Sequence, residues 1–295
     1  MGNIVTELRG RFRRGDIVTR LLYINVGIFL LTTLLDVFLR LMDVHYPFLR
    51  WGECPAGFAQ LLRQPWSLVT YMFVHADVWH ILFNMLWLYW FGQMFRYFFS
   101  DRHLCGLYIL GGLCGGLLYM AAYNVFPYFR PFVGSSYLLG ASASVLAIAV
   151  ATAVREPDYR VNLLFLGSVR LKYLTLVLVL LDVMLAASGN AGGHIAHLGG
   201  ALAGYWFAVA FRRGYDPTAW INRVIDFFAG RCVPRRRKPK MKVHYGKHAA
   251  DYDYNARRRE REEEIDRILD KLKKSGYGSL TAEEKQALFD ESKRL

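Results

Sequence analysis

Six apolar runs dominate the first 213 residues: Leu21–Leu41, Ala76–Phe99, Leu104–Val125, Leu138–Val154, Tyr173–Ala187 and Ile195–Phe211. A helix rises about 1.5 Å per residue, so roughly 17–25 apolar residues suffice to cross a bilayer core. The last three runs are short by this measure, yet the pattern predicts six spans and an all-α, polytopic membrane bundle. The chain is 54% hydrophobic with positive mean hydropathy and still carries a formal charge of +13. Soluble domains rarely combine the two, because apolar surface and excess charge would have to share one exterior; membrane proteins segregate them.

The positions of Lys and Arg set the expected orientation. The lead with Arg9, Arg11, Arg13, Arg14 and Arg20, the Arg96–Arg102 turn, the Arg155–Lys172 connection and the Arg212-Arg213 exit are all basic. The opposite set holds only Arg50, Arg63 and Arg130. Both termini are therefore expected in the cytoplasm, and spans two, four and six run inward from the outer face. Residues 42–75 are too polar to span but carry Trp51 and Trp66, which suits a loop in the membrane interface. No cleavable signal sequence is expected. The four cysteines show no metal-type pairing and no disulfide framework.

The expected domains are a cytoplasmic lead (1–20), a six-span domain (21–213), a basic linker (214–256) and a small soluble helical tail (257–295). The linker contains Arg235-Arg236-Arg237-Lys238, a composition suited to anionic lipid. The tail holds Ile265, Ile268, Leu269 and Leu272 on a charged helix, then Thr281 and Glu284 in a capping-box pattern. Nothing in the chain resembles a nucleic-acid-binding motif.

The polar residues of spans two, four and six gather near their outer ends: His75, His80 and Asn84; Ser142; His194 and His197. Such groups are costly at membrane depth and tend to face a protein interior or a water-filled cavity. On span four, Ser142, Ala149 and Ala153 share a face; on span six, His197, Gly200 and Gly204 do, with a small-xxx-small packing motif. Two helices approaching through these faces would set the hydroxyl against the imidazole, about two turns above the contact. His197 could then act as general base toward Ser142. His80 and Asn84, one turn apart, could donate to a developing oxyanion together with backbone N–H groups near Ser142. His75, His194 and Gly140 are expected to line the site. No span carboxylate looks placed to orient the histidine, so a Ser–His dyad is expected.

These residues resemble the rhomboid intramembrane serine proteases. Gly140-Ala141-Ser142 is similar to the family's Gly-x-Ser. Ala196-His197-x-x-Gly200-x-x-x-Gly204 is similar to its histidine signature, and His75-x4-His80-x3-Asn84 to its second span. The resemblance implies Ser142 as nucleophile, His197 as base, and His80 and Asn84 in the oxyanion hole. It further implies transmembrane segments of other proteins as substrates, a bacterial inner-membrane location, and no cofactor or metal. Three positions depart from the family pattern: Ala143 where glycine is usual, Leu146 where many members place Tyr or Phe, and Ser67 where arginine is frequent.

Two alternatives belong to other classes. A catalytically inactive rhomboid-like scaffold would bind membrane clients, but usually lacks the serine or histidine. A metal-dependent intramembrane protease would need a His-Glu-x-x-His helix, which the chain lacks.

Overall fold

The computed structural model describes residues 2–44, 47–163, 167–229 and 248–292. These divide into two compact units at Cys232/Val233. In the first, helices α1 (Gly2–Arg14), α2 (Ile17–Leu41), α3 (Phe58–Arg63), α4 (Ser67–Thr70), α5 (Val78–Phe98), α6 (Asp101–Val125), α7 (Ser142–Arg155), α8 (Leu171–Met184), α9 (Ala191–Arg212) and α10 (Ala219–Phe228) follow one another. Two antiparallel strand pairs interrupt them: β1 (Cys54–Pro55) with β2 (Tyr137–Leu138), and β3 (Arg160–Leu163) with β4 (Gly167–Arg170). The fold is thus mostly helical rather than purely so.

Each of the six apolar runs contains one helix: α2, α5, α6, α7, α8 and α9. By length and hydropathy α2 and α6 qualify as membrane-crossing helices, at 25 residues each. Helices α7 and α8 have only 14 residues. The fourth helix begins at Ser142, not at Leu138, because Leu138 pairs with Cys54 and Gly140 turns the chain with φ +115°. Only glycine tolerates that conformation cheaply.

Side-chain caps start three of the long helices. The carboxylate of Asp16 accepts from Thr19 N (2.7 Å) to open α2, and that of Asp77 accepts from His80 N (2.9 Å) to open α5. Ser100 and His103 form a capping box at α6. Helix α7 is different: its N-cap is Ala141, which supplies no side-chain acceptor.

The core is built on α7, of whose residues ten are buried, from Ala143 to Ala153. Its contact with α9 is the closest in the fold. A Cβ added to Gly200 would lie 2.1 Å from the Ala143 carbonyl oxygen, and one added to Gly204 would lie 2.2 Å from that of Ala147. The packed face of α7 is therefore Ala143 and Ala147, one position round from the expected Ser142–Ala149–Ala153 stripe. Gly200 stands level with Ala143, so the serine lies beside this contact instead of two turns above it. Helix α6 closes the other side, where a Cβ on Gly115 would meet Ala143 Cβ at 2.7 Å. Helices α2 and α8 are peripheral: α2 buries Val18, Leu21, Asn25 and Phe29, and α8 only Leu171, Thr175 and Asp182.

The connection from residue 47 to 75 is held by bonds within it and to its neighbours. Trp51 stacks on Trp66 at 6.0 Å, and the Trp66 indole donates to the Trp51 carbonyl (2.8 Å). Gly140 N donates to the Tyr71 carbonyl (2.9 Å), and the Tyr71 hydroxyl to that of Gly112 (2.6 Å). This loop thereby holds the approach to Ser142 in place.

Helix α10 falls within 214–256, and most of the basic segment from Arg231 to His248 lies outside the described residues. In the second unit α11 (His248–Ser275) begins before Arg257 and is followed by α12 (Ala282–Ser292). The capping box is present, with Thr281 N donating to Glu284 Oε2 (2.7 Å) and Glu284 N to Thr281 Oγ1 (3.3 Å). Lys271 pairs with Glu284 (2.8 Å) across the two helices.

At the bundle end away from Ser142, Asp16 also accepts from Gln93 (3.2 Å) and Arg96 (2.6 Å). Burial alone would raise its carboxyl, but the bonds from Thr19 and Gln93 and the charge of Arg96 prevail and hold it below the usual carboxylate value. A group depressed in the folded state stabilises fully above its unfolded pKa, and loses that contribution as pH falls through the folded one. Replacing Asp16 by Ala should therefore cost about 1 kcal/mol near neutrality, mainly through the lost cap. Thermal unfolding in detergent across pH checks this: the gap to wild type should narrow in acid, and a pH-independent gap refutes it.

Candidate active site

Helices α5, α7 and α9 bring their N-terminal ends to one level. There Ser142 Oγ lies 2.6 Å from His197 Nε2, a hydrogen bond from the first residue of α7 to the second turn of α9. The close approach at Gly200 permits this short reach, since any side chain there would push the two backbones apart. Ser144 is fully buried on the other side of α7, with no hydrogen-bond partner among the described residues.

His80 approaches from α5. Ala76 N donates to His80 Nδ1 (3.4 Å), which leaves the ring proton on Nε2. That nitrogen sits over Gly140, where an added Cβ would lie only 2.7 Å away. Asn84, one turn on, uses one amide hydrogen on the His80 carbonyl (2.8 Å). Because Ala141 supplies no side-chain cap, the N–H groups that open α7 at Ser142 are left without a side-chain acceptor. Helix starts of this kind favour negative charge.

The other half of His197 holds the main departure from expectation. Its Nδ1 lies 2.8 Å from Asp182 Oδ1, and the same oxygen lies 2.8 Å from His194 Nδ1. A span carboxylate is therefore placed on the histidine after all, where none was expected. His194 is drawn in as the second partner of that carboxylate. The signal of Asp182 in the sequence is slight: it is the single carboxylate in the Tyr173–Ala187 run, and ionisable groups inside a span are functional suspects.

These groups open into a cavity of about 750 Å³ lined by Ser142, His197, His80, Asn84, Asp182 and His194, with aromatic and aliphatic walls from Phe83, Trp87, Tyr119, Leu178 and Leu181. His75 does not reach the wall. It is buried behind His80, ring centroids 5.2 Å apart, with neither ring nitrogen bonded among the described residues. Gly140 shapes the floor under His80 rather than lining the space. Of the three departures, Leu146 lines the cavity, Ala143 packs against Gly200 and Gly115, and Ser67 is fully buried away from the site.

The rhomboid domain model matches residues 62–214, a stretch that contains every one of these side chains. The chain belongs to the rhomboid family. Residues 249–294 match a second family of unknown function. The rhomboid is 31% identical over 144 residues to RHOMBOID-like protein 12, mitochondrial, of Arabidopsis thaliana. That alignment covers 46% of this chain and 43% of the relative. Family membership, with two helices among the described residues long and apolar enough to cross a bilayer, marks the chain as a membrane protein.

Gly140 carries two demands at once, a left-handed backbone and room for His80. Substituting Ala should displace the His80 ring while leaving the helical content intact. The check is the imidazole resonances of His80 beside the circular dichroism of the variant: unmoved resonances refute it.

Proposed function

We propose that this rhomboid is an intramembrane serine endopeptidase, a six-helix bundle that cuts transmembrane segments of other proteins. The observation that carries the reading is the 2.6 Å contact between Ser142 Oγ and His197 Nε2, at the floor of a cavity with apolar walls. As Ser142 Oγ bonds to the scissile carbonyl carbon, its proton passes to His197 Nε2. The carbonyl electron pair becomes an oxyanion, received by His80 Nε2–H, Asn84 and the first N–H groups of α7. Collapse breaks the C–N bond, and His197 returns the proton to the leaving amine. Water then attacks the acyl carbon as its proton passes to His197; collapse breaks the bond to Ser142 Oγ, which takes that proton back from His197 and frees the acid product. The short α7 and α8 suit this chemistry, because water must reach the serine below the bilayer surface. The cavity walls from α5 and α8 suit an extended, mostly apolar segment as substrate. Helix ends rich in Lys and Arg support cytoplasmic termini. Nothing in this mechanism calls on a metal or cofactor.

The test is a fluorophosphonate probe applied to the detergent-solubilised protein, with cleavage of a transmembrane substrate measured in parallel. Ser142→Ala and His197→Ala should each abolish both readouts. Loss of one oxyanion donor, by His80→Ala or Asn84→Ala, should lower the cleavage rate by about 10²–10³. Folded wild-type protein that neither labels nor cleaves would favour an inactive, client-binding rhomboid.

A further inference from the structure

We propose that Asp182 completes a catalytic triad by holding His197 in the reactive tautomer, with His194 clamping the carboxylate. The inference rests on the serine-protease reading above and adds a third residue to it. An ionised carboxylate is acceptor-only, so two ring nitrogens at 2.8 Å from one oxygen must both be donors. His197 then carries its proton on Nδ1, and its Nε2 lone pair is left for the Ser142 hydroxyl. When that hydroxyl proton arrives, the resulting imidazolium already has its counter-charge beside it.

A purely architectural tether between α8 and α9 does not account for the choice of aspartate. Asp182 lies two residues from the C-terminal end of α8, where the helix dipole disfavours negative charge. It is 6% exposed and one of three buried residues on the helix. A neutral Ser, Thr or Asn could join the two helices with less desolvation. What only a carboxylate supplies is a fixed negative charge and an obligatory acceptor. His194 makes the clamp: its ring stands 5.9 Å from that of His197 at 84°, so the two imidazoles approach the shared oxygen from different directions. With both bonds made, rotation of the Asp182 side chain breaks at least one.

Asp182 is a positioning residue, and the test separates that from a structural role. In the full-length protein, Asp182→Asn replaces the acceptor by a group that can donate to Nδ1 and so favours the opposite tautomer. Probe labelling and kcat should fall by about 10²–10⁴-fold with KM little changed, the upper figure being the loss known for a wrong-tautomer triad. Nitrogen-15 spectra of histidine-labelled wild type, assigned with His197→Gln, read the tautomer without any Asp182 variant. Nδ1-protonated His197 is the expected result and Nε2-protonated His197 overturns the proposal, even if Asp182→Asn fails to fold. Rates for folded Asp182→Asn within about threefold of wild type would overturn it too, as would cleavage that stops on chelation, which would make the cluster of Asp182, His194 and His197 a metal site. If Ser142→Ala still labels, the protease reading fails instead; if Ser142→Ala is silent and Asp182→Asn is not, only the triad falls.

Discussion

The distance between two backbones governs everything else in this molecule. Gly200 and Gly204 let α9 lie against the carbonyls of Ala143 and Ala147, closer than any side chain would allow. Association of helices in lipid has no hydrophobic drive between apolar faces, so close van der Waals packing of small residues must supply it. Here that packing also sets the chemistry, because Ser142 and His197 each adjoin the contact on their own helices. An extra ångström between the axes would cost stability and the 2.6 Å bond together.

Around that contact the polar groups form layers. His197 is held on one side by Ser142 and on the other by Asp182, which is shared with His194. His80 is set by the Ala76 amide and backed by His75. The backbone approaching Ser142 is held by strand pairing with Cys54 and by the Tyr71 carbonyl. Distant segments thus converge on one residue.

Much of this was legible in the sequence. Glycine spacing gave the α9 face, and the apolar runs gave the helices, because both follow from short-range periodicity. Ser142, His80, Asn84 and His197 carried motifs, so their grouping could be expected before any coordinates. Three things were not legible. The start of α7 depends on the φ of Gly140, which a hydropathy pattern cannot register. The packed face of α7 was misplaced by one position because alanines occur all round that helix. Asp182 has no motif spacing to its partners, which lie on another helix, and inside a leucine-rich run it reads as an interruption of a span. Its meaning emerges only when α8 and α9 are brought side by side.

Gly140 has a consequence for how such a site can change over generations. One residue serves both the entry into α7 and the seat of the His80 imidazole. A replacement has to satisfy a backbone requirement and a steric one simultaneously, and no single compensating change elsewhere relieves both. A substitution at this position therefore disturbs the helix start and the seat of the imidazole in a single step.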